Sequence, residues 1–424
     1  MKTRGIKLKY GRGALNISLP EGFNFSVLET ERTAPLEDYG RELKAKLSRP
    51  SGAESLENLA ESASRACIVV SDKTRYVPYR VILPEILRIL DESGTEVFFL
   101  VATGMHGPSS QEDLIEILGE DIASGYKIIN HRAADNAELA YLGRGASGVP
   151  VYINRNYYEA DLKILTGFIE PHFMAGFSGG RKSICPGISG LDTIKFVHSA
   201  AILSSPRARA GCLEGNPVNT AIFEAAGLAG CDFMVNVTLN PDREITGIFC
   251  GGLNEAFAEG AAACARQCRV RAPGLFDAVV TTGGGYPLDR NFYQTVKGLV
   301  GALDIIKPGG TLVCASECAD GLGSDDFRNL LYGMKNPDEF MDMILSEGFF
   351  YPDQWEVQEL IKVLSKCEVK LYSDNLTEEE IIKCRCGPVK DINAEIAGVL
   401  RALGEDGAVA FVPDGPYALA AGEA

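Results

Sequence analysis

EVFFLVATG, residues Glu96 to Gly104, is an apolar run rich in β-branched and aromatic residues that stops at a Thr-Gly pair. A run of that length and make-up, bounded by glycine, reads as a strand buried on both faces rather than a helix. Six more stretches share the pattern: ACIVVSD at 66–72, DLKILTG at 161–167, CDFMVNVTL at 231–239, DAVVTTGGG at 277–285, GTLVCAS at 310–316 and AVAFVPDG at 408–415. Helical patterns lie between them, which predicts parallel strands joined by crossover helices. The chain has 424 residues, more than the roughly 250 to 300 at which a single core stops growing. The expected fold is therefore α/β, with two domains that each carry a mainly parallel sheet flanked by helices. RVRAPGL at 269–275 follows an alanine-rich helix at 254–268 and marks the boundary. Residues 1–270 form the expected N-terminal domain and 275–395 the C-terminal one, with the active site in the cleft between them. The segment from about 395 to 424 either forms its own helix and strand or packs back on the first domain.

The formal net charge of −16 argues against a nucleic-acid partner, because such binders need a basic surface to displace counterions. The opening MKTRGIKLKYGRG is basic but has no apolar core of the signal-peptide kind. No apolar run approaches the roughly 18 residues of a membrane span, so the sequence reads as cytoplasmic, with no membrane partner. Twelve cysteines without a paired CxxC set read as reduced thiols rather than as a disulfide framework or a zinc site.

Three of the expected strands end in Thr-Gly, at Thr103-Gly104, Thr166-Gly167 and Thr282-Gly283. In open α/β sheets ligands bind outside the carboxyl ends of the strands. The chemistry-bearing residues follow those ends: Asp72 and Arg75, His106, His172, then Tyr293 and Lys297. Arg75 suits a carboxylate, because a planar guanidinium can donate two parallel hydrogen bonds. Tyr293 and Lys297 are four apart on a helix that follows a Gly-rich loop, hence on one face, with Gln294 adjacent.

The segment EPHFMAGFSGGRKSICPG, Glu170 to Gly187, packs a histidine and an Arg-Lys-Ser triplet among glycines. It fails as a Walker A loop, since Arg181 separates Gly180 from Lys182. Alone it reads equally as a Gly-rich turn or as a backbone cradle for the phosphate of some other nucleotide. His106 and His172 lie past strand ends, where a hydrogen-bonded structural histidine and a catalytic one are equally at home. His198 falls on an expected helix opening at SGLD, with Ser189 and Asp192 as a capping box, and shares a face with Leu191 and Ile194. That pattern by itself favours a core histidine. No multi-histidine metal spacing occurs, so a metal here would need ligands from a cofactor.

Taken together, SDKTR, ATGMHGP, EPHFMAGFSGGRKSICPGISG, VHSA and YQTVKG resemble the lactate racemase family, over roughly residues 65 to 360 and in a consistent order. The resemblance implies the nickel-pincer nucleotide cofactor, nickel pyridinium-3,5-bisthiocarboxylic acid mononucleotide, attached covalently to Lys182. It implies His198 as the remaining nickel ligand, His106 and His172 as the acid/base pair, and Arg75, Tyr293, Gln294 and Lys297 around the substrate carboxylate. Asp72 and Trp355, the sole tryptophan, are implied as cofactor contacts. The activity implied is inversion at C2 of a 2-hydroxy acid by reversible hydride transfer, and the implied partners are that small acid and the proteins that make the cofactor. Attachment needs a neutral lysine, which crowding by Arg181 would favour. Gly107 stands where the family carries a larger residue and Met174 near a position that is often aromatic, which leaves lactate, malate, aromatic and sugar acids open as substrates. Two other readings also stay open: a nucleotide- or phosphate-dependent lyase or transferase, and a non-catalytic carrier of nickel or cofactor.

Overall fold

The computed structural model describes residues 4–19 and 23–422. The chain divides into two compact units, one of Arg32–Gln267 and the other of the described residues up to Glu31 with those from Cys268 onward.

In the Arg32–Gln267 unit, the strands Arg65–Ser71 and Glu96–Ala102 are buried at every interior position, as continuous Val, Ile and Phe runs require. They are central in a six-stranded sheet ordered Ile245–Gly251, Phe233–Leu239, Leu162–Phe168, Arg65–Ser71, Glu96–Ala102, Lys127–Asn130. All neighbours run parallel except the edge strand Ile245–Gly251, which is antiparallel to Phe233–Leu239. The helix Tyr79–Glu92 buries Tyr79, Ile82, Leu83, Ile86, Leu87, Ile89 and Leu90. That stripe packs against Ile68, Val70, Phe99, Val101 and Ile164 of the sheet. Each large aliphatic side chain so buried contributes about 1.5–3 kcal/mol, so the central strand ends rest on a rigid base. Three adjacent parallel strands, Leu162–Phe168, Arg65–Ser71 and Glu96–Ala102, deliver their carboxyl ends to one edge.

The other unit holds a second six-stranded sheet, wholly parallel, ordered Gly387–Val389, Glu368–Tyr372, Ile306–Ala315, Phe276–Thr282, Val409–Val412, Phe25–Val27. The hairpin Arg4–Tyr10 with Gly13–Leu19 packs Ile6, Leu8, Ile17 and Leu19 against Ala278, Val280 and Val313 of this sheet. The described residues up to Glu31 thus group with those from Cys268 onward, whereas the sequence reading put them in a 1–270 domain. The cause is pairing between distant segments: Phe25–Val27 adds to Val409–Val412 as an edge strand. The segment from 395 joins this unit too, through that strand and through Leu419–Gly422, which pairs with Arg269–Ala272. No helix among the described residues is long and apolar enough to cross a membrane.

Candidate active site

The loop after Arg65–Ser71 turns tightly on Asp72. Its Oδ1 accepts hydrogen bonds from the Thr74 amide at 3.1 Å and the Thr74 hydroxyl at 2.6 Å. Its Oδ2 lies 2.6 Å from Nδ1 of His106, which follows the neighbouring strand. Burial alone would raise the Asp72 carboxyl, but the hydrogen bonds and charge of His106 and Thr74 outweigh it and hold the group below its ordinary value. An ionised Asp72 fixes the His106 tautomer with the proton on Nδ1 and the lone pair on Nε2, the form of a general base. The structure places Asp72, expected as a cofactor contact, against His106. Arg75 donates from Nη1 to Glu170, the first residue of the EPH segment. Of the five guanidinium donors this pairing uses one nitrogen and orients the fork.

Pro171–His172 forms a two-residue ladder with Gly176–Phe177. The turn so closed aims the amides of Met174 and Ala175 at His172 Nδ1, each at 3.3 Å. On the other side of the ring, Nε2 lies 2.6 Å from Nζ of Lys182. Lys182 sits in a single 3₁₀ turn, Gly180–Ser183, reached through Gly179 at φ 76°. A Cβ on Gly179 would come within 2.4 Å of the Asn236 side-chain oxygen, so only glycine fits that approach. The same Asn236 oxygen accepts from the Gly180 amide at 2.8 Å and pins the turn to the sheet. The turn is also tied to the His106 loop, because the Gly104 amide donates to the Gly187 carbonyl at 2.9 Å and the Gly187 amide to that of Lys182 at 3.1 Å. The structure thus gives Lys182 a neighbour other than the expected Arg181. The Arg181 guanidinium lies against the rings of Phe223 and Phe257, with centroids at 5.0 and 4.5 Å.

His198 ends the helix Leu191–Val197 as its C-cap. Gly190 is the N-cap and makes no side-chain bond, so the expected Ser189–Asp192 box does not form. The Ser189 hydroxyl donates to the Ile184 carbonyl at 2.8 Å instead, inside the preceding loop. His198 Nδ1 lies 2.9 Å from the Ile194 carbonyl and must donate to it, which leaves the lone pair on Nε2. Burial lowers its pKa to about 4, so the ring is neutral at pH 7. His131, never a site candidate, is buried: Nε2 donates to the Ser189 carbonyl at 2.9 Å while Nδ1 faces the Asn154 amide at 3.2 Å. Burial lowers it to about 4 as well.

The remaining expected residues belong to the other unit. On the helix Phe292–Val300, capped by Asn291, the Lys297 ammonium donates to the Gln294 side-chain oxygen at 2.5 Å. Trp355 donates from its indole nitrogen to the Tyr293 hydroxyl at 2.9 Å. Trp355 lies in the first turn of the helix Gln354–Leu364, whose Glu356 and Glu359 are also buried. Two residues that sequence reasoning passed over stand out. Asn236 is fully buried in the strand Phe233–Leu239, and a lone amide in an apolar run was the available signal. Glu170 pairs with Arg75 and was visible only as an acid two residues before His172.

Comparison with known proteins gives a consistent result. The family models described as the lactate racemase N-terminal domain and the lactate racemase C-terminal domain match residues 10–211 and 273–418. The lactate racemase of Thermoanaerobacterium thermosaccharolyticum is 34% identical over 416 residues, 97% of each chain. That of Lactiplantibacillus plantarum is 36% identical over 373 residues, 87% of this chain and 88% of the other. The solved lactate racemase apoprotein from T. thermosaccharolyticum superimposes with a TM-score of 0.92 at 33% identity, covering 98% of this chain and all, 100%, of that one. A Thermotoga maritima protein of 18% identity and TM-score 0.71 shares the fold, over 93% of this chain and 100% of its own.

Proposed function

Because the chain belongs to the lactate racemase family and is an isomerase of the racemase class, we propose that it inverts C2 of a 2-hydroxy acid, lactate or a close relative, with a nickel-pincer nucleotide bound at Lys182. Two relatives at least 34% identical to it over the matched residues are lactate racemases, which supports lactate as the first substrate to test.

The residues present fit that cofactor. Lys182 offers a primary amine in a glycine turn with no room for a side chain at Gly179. His198 is held in the tautomer whose Nε2 can coordinate a metal, with Nδ1–H fixed by a backbone carbonyl, the usual partner of a ligating histidine. Among the described residues no group of three or more His, Cys, Asp or Glu could hold a metal, so nickel at His198 would take its other ligands from the cofactor. When bound, the group would supply a reversible hydride acceptor. That chemistry suits the substrate, because a carboxylate beside Cα stabilises a carbanion poorly and makes simple proton abstraction costly.

The protein's own part is positioning and proton handling. His106, with Nδ1–H fixed on Asp72, presents Nε2 to the hydroxyl proton of one enantiomer. His172 serves the other. Arg75, Tyr293, Gln294 and Lys297 hold the carboxylate, and Trp355 orients Tyr293. The Asp72–His106 contact at 2.6 Å is the observation that carries this reading, since it builds a base next to the turn that bears Lys182.

The test is interconversion of D- and L-lactate in D₂O by protein made in cells that also express the cofactor-synthesis proteins. Racemisation with C2 hydrogen retained is the expected outcome. Deuterium appearing at C2 would replace hydride transfer with proton abstraction, and absence of interconversion in fully loaded protein would remove lactate as substrate.

A further inference from the structure

Two charged residues at the carboxyl edge of the Arg32–Gln267 sheet are committed to each other. Arg75 and Glu170 form an ion pair, and each rests on a fixed backbone. The Arg75 amide donates to the Asp72 carbonyl at 3.2 Å, closing the turn after Arg65–Ser71. Glu170 is clasped by Ser178, whose hydroxyl accepts from the Glu170 amide at 3.0 Å and whose amide donates to the Glu170 carbonyl at 2.8 Å. The two side chains are 25% and 12% exposed, so solvent screens the pair less than it would on open surface. Lys73, the other cation of that turn, is paired with Asp113 at 3.0 Å, and the Asp72 carboxylate is held against His106. Each cation of the turn thus has its own anion, and the turn offers donors without a surplus of positive charge.

We propose that Glu170 is a specificity-determining residue: it cancels the charge of Arg75 while leaving the rest of the fork to bind, and so admits 2-hydroxy acids with one carboxylate and disfavours those with two. This rests on the racemase reading, which puts the substrate carboxylate at Arg75. A first carboxylate needs hydrogen-bond donors, and the guanidinium nitrogens outside the Glu170 contact supply them in a planar fork. A second carboxylate brings a further negative charge, which Glu170 and Asp72 both repel. At about 8 Å and an effective dielectric constant of about 20, one such repulsion weakens binding by about 30-fold, and salt lowers this to about tenfold. Size does not enter the distinction, because an amide has nearly the shape of a carboxylate and no charge.

Malate and its 4-amide, two 2-hydroxy acids of nearly equal size that differ by one charge, provide the test. Each is measured on loaded protein at pH 7, as racemisation or as inhibition of lactate racemisation. Wild type should favour the amide by about tenfold or more. In Glu170→Gln the amide oxygen still accepts from Arg75, so the fork keeps its orientation while the charge is lost, and the preference should fall to within about threefold. Glu170→Asp keeps the charge and should keep the preference. Equal handling of the two compounds by wild type overturns the proposal, as does a full preference in Glu170→Gln, a preference lost equally in Glu170→Asp, or failure of both compounds to bind. The wild-type comparison decides even where a variant does not fold. The same ratio is read from NMR titration of the full-length unloaded chain. A protein that selects by charge yet racemises nothing leaves this proposal standing and removes the racemase reading; one that racemises lactate and ignores charge does the reverse.

Discussion

Replacing Asp72 with asparagine alters one atom yet should disable His106. In the native turn Oδ1 accepts from both the amide and the hydroxyl of Thr74, at 3.1 and 2.6 Å. An asparagine keeps those bonds only by leaving its oxygen there, which turns its NH₂ toward His106 Nδ1. Facing a donor, Nδ1 must accept, and the ring proton moves to Nε2, the atom assigned to take the hydroxyl proton. General-base assistance is worth about 10²–10⁴ in rate, so the barrier should rise by about 3–5 kcal/mol. The assay is initial racemisation from pure D- and pure L-lactate, by chiral chromatography, on wild-type and Asp72→Asn protein of equal nickel content. Both directions should fall together, because each passes through the same pair of histidines. Activity within threefold of wild type at equal loading would refute the tautomer argument. Loss of activity that merely follows loss of nickel would return Asp72 to the role of cofactor contact.

Three further outcomes follow from particular residues. His131 has a pKa of about 4 in the fold against about 6.5 unfolded, so the unfolded chain binds the extra proton and stability falls as pH drops through that window. At about 1.4 kcal/mol per pKa unit, some 2 kcal/mol should be lost between pH 7 and 5. The stability gap between wild type and His131→Gln in urea should therefore shrink by that amount, and an unchanged gap would contradict the assignment. Asn236→Ala strips the acceptor from the buried Gly180 amide, which should cost about 1–3 kcal/mol and reduce modification of Lys182. Normal urea stability and full nickel loading would show the turn needs no such anchor. Lys297→Ala removes the charged donor proposed for the substrate carboxylate, worth about 1.5–3 kcal/mol, and should raise KM by about 10–100-fold with the larger effect on KM than on kcat. An unaltered KM would exclude Lys297 from the carboxylate clamp.

The seven expected strands all exist, because an unbroken Val, Ile and Phe run buried on both faces leaves few alternatives. Placing His106, His172 and Asp72 beyond strand ends followed directly. Less visible were strands that owe their state to a partner: Phe25–Val27 is only three residues long and pairs with Val409–Val412, and Lys127–Asn130 is an edge strand without a buried position. The helix before His198 shows how a local signal misleads. Ser189 and Asp192 have the spacing of a capping box, but a carbonyl in the preceding loop claims the serine hydroxyl. The contact between His172 and Lys182 spans ten residues and arises from a hairpin and a 3₁₀ turn that no spacing rule encodes. Likewise Tyr293 and Trp355, read as separate site residues, meet through a hydrogen bond between two helices.

The central claim is that Lys182 carries the cofactor, and peptide-mapping mass spectrometry with nickel analysis tests it most directly. The protein should come from cells that express the cofactor-synthesis proteins, with a related racemase loaded in parallel. A nucleotide-sized adduct on Lys182 together with equimolar nickel is the predicted result. An unmodified Lys182 in nickel-free protein, while the related racemase loads, would contradict the account.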